Sequence, residues 1–161
     1  MSDFKATRRT LSHKQHLNGT KEQIFPLLCP TREYDWIAEW ACELVYSDSG
    51  FAEPNCVFRT DGAVSRISGA EEEIWIVSRY ESPTRIEFVK FSNGLFVIKY
   101  EIDLVETEDG GITATWTQHF TGLSEAGNDM IAARRQEDYD AVIAALEGKM
   151  NYYLRHGDMM R

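Results

Sequence analysis

The chain has 161 residues, 43% of them apolar and 12% aromatic, which suits one domain (residues 1–161) with its own core and excludes a disordered chain. A formal net charge of −9 repels nucleic-acid phosphates and anionic headgroups, so neither nucleic acid nor a membrane surface is expected as a partner. No apolar run approaches the ~20 residues of a membrane span, and MSDFKATRRT lacks the apolar stretch of a signal peptide, so membrane insertion is not expected and a cytoplasmic location is.

In chain order, residues 5–17 alternate as a first strand and stop at Asn18-Gly19. Thr20-Lys21-Glu22-Gln23 is a capping box, in which hydroxyl and amide satisfy each other's backbone donors, and it opens a short helix ended by Cys29-Pro30. Thr31 is placed to cap a second short helix through Trp36 and Ile37 towards Trp40. From Cys42 the period changes to two. Strands are predicted over 43–46, 56–60, 72–80, 85–91, 95–105 and 112–121, with turns at Asp48-Ser49-Gly50, Asp61-Gly62, Ser82-Pro83, Asn93-Gly94 and Asp109-Gly110-Gly111. This is an antiparallel meander of six strands whose edge the first strand can close. Phe96, Ile98, Tyr100, Ile102 and Leu104 share one face, as do Trp116, Gln118 and Phe120, whereas Trp75 and Val77 oppose Ile74 and Ile76 without a clear inner side.

Ser124 to His156 reads as one long helix. Ser124 is its N-cap, Gly157 its C′ residue, and Ile131, Tyr139, Val142, Leu146, Met150 and Tyr153 its apolar face. Gly148 marks a weak point in it.

Catalytic and metal motifs are thin. Gly122-Leu123-Ser124-Glu125-Ala126-Gly127 fails both the nucleophile-elbow and the phosphate-loop spacing. His13 and His16 fall on opposite faces of a strand, which spoils a shared metal site. His119 alternates onto a solvated threonine face, and the runs Glu71-Glu72-Glu73 and Glu106-Thr107-Glu108-Asp109 read as solvated turns. Cys29, Cys42 and Cys56, odd in number and without CxxC spacing, read as reduced thiols. No cofactor is expected. What remains is aromatic: many large rings with a few polar tips, which serve either as core or as the lining of a small-molecule pocket.

The order of strand, two short helices, six-strand meander and long C-terminal helix resembles the helix-grip fold of the START/Bet v 1-like (SRPBCC) superfamily. The resemblance covers the whole chain. Cys29-Pro30-Thr31-Arg32-Glu33-Tyr34-Asp35-Trp36-Ile37, Cys42-Glu43-Leu44-Val45-Tyr46-Ser47 and Leu123-Ser124-Glu125-Ala126-Gly127 look like one bacterial branch of it. The resemblance implies an α+β fold, a curved antiparallel sheet of about seven strands around the C-terminal helix, with a cavity between them. It transfers no catalytic residues, because the superfamily has no shared catalytic motif.

The expected function is binding of a small hydrophobic or aromatic ligand in that cavity. Tyr139, Met150 and Tyr153 would line its helix side, and Trp75, Phe88, Tyr100, Trp116 and Gln118 its sheet side. Trp36 and Trp40 would stand near the mouth, and Arg135 would help orient the ligand. The alternatives are a cyclase- or dehydratase-type enzyme using the same cavity, and an interaction module like the Hsp90 co-activators of the superfamily. A homodimer stays open.

Overall fold

A computed structural model describes residues 3–61 and 72–161. Seven antiparallel strands form one sheet in the order β1-β7-β6-β5-β4-β3-β2. They are β1 (Arg8–Leu17), β2 (Glu43–Tyr46), β3 (Val57–Asp61), β4 (Glu72–Glu81), β5 (Arg85–Ser92), β6 (Phe96–Glu106) and β7 (Ile112–Gly122). The meander therefore runs as expected, with the first strand added beside the last. At the β5–β6 turn, Asn93 and Gly94 both take positive φ (22° and 75°), and Leu95 N–H donates to Ser92 O at 2.7 Å. This is the tight reversal that Asn-Gly favours.

Between β1 and β2 lie α1 (Lys21–Ile24), which runs on into a 3₁₀ turn (Phe25–Leu28), and a second 3₁₀ turn (Glu33–Asp35). The capping box is formed, Gln23 N–H donating to Thr20 Oγ1 and Thr20 N–H to Gln23 Oε1. The second helix is shorter than predicted and has no side-chain cap. Thr31 instead donates from its hydroxyl to Gly50 O, tying the turn to the β2–β3 loop.

The C-terminal helix is two helices. Ser124 caps α2 (Glu125–Ala132), accepting from Gly127 N–H, and α3 (Gln136–His156) begins after Arg135 takes an extended conformation (φ −110°, ψ 146°). No proline or glycine announces this break. Arg135 is held there by a two-pronged ion pair with Asp138, and Arg134 is turned back over the Phe120 ring at 5.3 Å. The 21 residues of α3 span about 30 Å, less than a continuous helix would, and end at Gly157 with φ 69°. Gly127 is required where α2 lies on the sheet, because a Cβ there would fall 1.6 Å from Leu95 O.

Helix α3 is fastened along β1. Gln15 Nε2 donates to Ile143 O and Tyr139 Oη donates to Trp116 O. Glu147 accepts from His16 N–H, and Asn151 bonds both Asn18 N–H and His16 O. Of these, Glu147 and Asn151 occupy backbone groups that an edge strand leaves open.

Candidate ligand-binding site

Inward-facing side chains of β3 to β7 and the underside of α3 enclose a cavity of about 190 Å³. Its sheet wall is aromatic. Trp75 stacks on Phe58 (centroids 5.2 Å apart) and meets Phe88 edge-on at 5.7 Å, while Tyr100 bridges Trp75 and Trp116 at 6.0 and 5.8 Å. Trp40, from the segment after the second 3₁₀ turn, closes one side and is fixed by its N–H donating to Pro30 O. Val142, Ala145, Leu146 and Lys149 form the helix side, and Lys149 pairs with Glu39 at 2.7 Å at the rim.

Of the residues picked from the sequence, Trp40, Trp75, Phe88, Tyr100, Trp116 and Gln118 come together on this wall. The other five lie elsewhere. Trp36 is fully buried beneath the 3₁₀ turns, away from the mouth, its N–H donating to Leu27 O. Tyr139 turns towards the backbone of β7, Met150 is buried outside the lining, and Tyr153 lies beside Arg32. Arg135 is exposed at the helix break. The apolar stripe of α3 is wider than the part that overlies the cavity, and Tyr139, Ile143 and Met150 pack outside it.

The charged residues of the site were not singled out from the sequence. On β4 the inner face is that of Glu73, Trp75 and Val77, which resolves the ambiguous alternation and overturns the reading of Glu73 as part of a solvated run (Glu71 lies outside the described residues). Glu73 and Lys90, which lies across from Trp75 on β5, are both completely buried, with Lys90 Nζ 2.8 Å from Glu73 Oε2 and 4.4 Å from the centre of the Trp75 ring. Among the described residues neither Glu73 oxygen completes a hydrogen bond of normal geometry, so the contact is ionic. Burial lowers the pKa of Lys90, Glu73 opposes that, and nearby Arg134 adds to it. The signal was present: Lys90 keeps the phase of Ile86 and Phe88, and Glu73 that of Trp75.

Glu33 comes from the second 3₁₀ turn. The residue is partly accessible, but its carboxyl lies in the cavity wall, where loss of water raises its pKa well above the ordinary carboxylate value. No hydrogen bond or ion pair holds it among the described residues. Burial likewise raises Tyr100, and the charges of Tyr139 and Glu33 push in the same direction. Both shifts favour the neutral acid on this apolar surface.

Outside the cavity, His119 sits on the opposite face of the sheet between Thr10 Oγ1 (2.9 Å) and Glu101 Oε2 (3.4 Å). His13 meets Asp140 of α3, and His16 lies 3.8 Å from Asp109. Among the described residues no three metal-ligating side chains cluster, and no helix is long and apolar enough to cross a membrane.

No sequence-family model and no curated protein matches the chain. Solved structures do. Norcoclaurine synthase from Thalictrum flavum superposes with a TM-score of 0.68 at 8% identity, over 94% of this chain and 88% of that one. Major latex-like protein 151 from Panax ginseng gives 0.65 at 11% identity, over 91% and 97%. DynU16, a protein of the dynemicin biosynthetic locus, gives 0.58 at 14% identity over 92% of this chain, which spans only about half (48%) of DynU16. The curved seven-stranded sheet, the long C-terminal helix and these superpositions together identify the fold as the helix-grip fold.

Proposed function

We propose that the protein binds one small apolar or aromatic molecule between the sheet and α3. The observation that carries this reading is a ring-lined cavity in which buried polar atoms, Trp116 Nε1 and both ends of the Gln118 amide, have no hydrogen-bond partner among the described residues. Native interiors seldom leave such groups unsatisfied without a role. Size narrows the ligand. A dry apolar cavity of about 150 Å³ admits benzene, and drug-sized sites begin near 300 Å³. At about 190 Å³, a one- or two-ring compound fits better than a sterol or a two-chain lipid. Native mass spectrometry after mixing with phenyl, indole and naphthalene compounds is expected to show complexes of one ligand per chain. Apo masses throughout count against the reading.

A cyclase- or dehydratase-type enzyme is the second reading, and Glu33 favours it. A carboxyl whose pKa burial raises, in the same cavity wall as Lys90 and the Tyr100 phenol, is the proton donor that such chemistry needs. Glu33→Gln keeps the shape and removes the acid. Under this reading it abolishes turnover of a bound substrate; a variant as active as the parent returns Glu33 to a binding role.

A further inference from the structure

On the wall made by β6 and β7, Trp116 and Gln118 follow one another on the inner face, and Tyr100 stands directly across from Gln118. Trp116 is 2% exposed and Gln118 0%. The Gln118 amide faces the Tyr100 hydroxyl, yet among the described residues neither of its polar atoms completes a hydrogen bond, and the indole N–H of Trp116 has no acceptor. A small rotation would let the two pair, with the Gln118 NH₂ donating to Tyr100 Oη or Tyr100 donating to Gln118 Oε1. Either way a Gln118 N–H and the Trp116 N–H remain, so the surplus on this wall is of donors.

We infer that, within the cavity proposed above to hold a ring compound, Trp116 and Gln118 form a subsite for a neutral carbonyl oxygen of that ligand. The two donors belong to consecutive inward positions of one strand, and an acceptor atom placed between them would take both, while Trp75, Phe88 and Tyr100 take the rings. A carboxylate suits the site less well, because the burial that raises the pKa of Glu33 and Tyr100 also opposes a ligand anion. An ammonium suits it no better, since it would bring further N–H donors to a wall already short of acceptors.

The test compares four naphthalenes of one shape by isothermal titration calorimetry at pH 7: 2-acetylnaphthalene, 2-ethylnaphthalene, 2-naphthoate and 1-(2-naphthyl)ethylamine. Hydrophobicity alone ranks the ethyl compound first. The subsite reverses that order, with the ketone about tenfold tighter than the hydrocarbon, as two neutral hydrogen bonds allow. Trp116→Phe and Gln118→Leu, each checked for a parental circular-dichroism spectrum, lower the affinity for the ketone more than that for the hydrocarbon. Should 2-ethylnaphthalene, the acid or the amine bind as tightly as the ketone, the carbonyl subsite is overturned and the ring-binding reading stands. If none of the four binds, the ring-binding reading falls, and the subsite with it.

Discussion

The two faces of the central sheet treat their carboxylates in opposite ways. On the outer face Glu87 is as buried as a core residue, yet Arg79, Arg85 and Lys99 reach it at 2.9–3.0 Å. Burial alone would raise its pKa, but hydrogen bonds from those cations bring it down to about 2. On the inner face Glu73 has one ammonium in ionic contact, and Glu33 has no partner among the described residues. Burial therefore does not decide the state of a carboxyl; the donors around it do. The outer face is polar structure brought to completion. The inner face is left incomplete around a cavity, the arrangement expected where a ligand supplies the missing partners.

The contrast is sharpest at the buried pair. Lys90→Met strands Glu73 among rings and is expected to cost about 3–5 kcal/mol in urea unfolding, whereas the double variant Lys90→Met, Glu73→Leu recovers most of it. Equal losses in the single and double variants would show that packing, not charge, is what the site needs. Outside, Glu87→Gln is expected to cost about 1–2 kcal/mol, since half-exposed Arg79 and Lys99 are partly screened. Glu87 contributes fully above the ordinary carboxylate range, and this is lost as the pH falls towards about 2, so the variant flattens the acid side of the stability curve. Glu33 has the opposite sign. As pH rises through the ordinary range, its carboxyl ionises first in the unfolded chain, which draws stability away. Glu33→Gln should match the parent at pH 4 and exceed it at pH 8; a variant less stable at pH 8 would mean an ionised, partnered Glu33. At the rim, Lys149→Ala removes one ion pair with Glu39 and should change stability by no more than about 1 kcal/mol.

Much of the frame was legible because it rests on local chemistry. Asn93-Gly94, the Thr20 capping box, the Ser124 cap and Gly157 each state a backbone geometry, and strict alternation in β6 and β7 gave the inner face. The helix break was not legible, since Ala133-Arg134-Arg135 carries no breaker and is set by what Arg134 and Arg135 find in three dimensions. Glu73 and Lys90 were hidden for a related reason. A charged residue in a strand reads as outward-facing until its partner across the sheet is known, and here each is the other's partner. Glu33 belongs to a 3₁₀ turn with no period at all, so nothing in the local pattern aims its carboxyl. The helix side was misjudged because a 3.6-residue stripe gives a face but not its curved neighbour, and Val142, Leu146 and Lys149, rather than Tyr139, Met150 and Tyr153, line the cavity.

The central claim, that a ring compound enters between sheet and helix, is tested most directly by the four indole N–H signals in a ¹⁵N–¹H correlation spectrum during titration with 2-acetylnaphthalene. Trp40, Trp75 and Trp116 line the cavity, while Trp36 is sealed in the core with its N–H on Leu27 O. The account predicts saturable shifts of the first three signals, largest for Trp116, with Trp36 unmoved. Four unmoved signals, or a response from Trp36 alone, would contradict it.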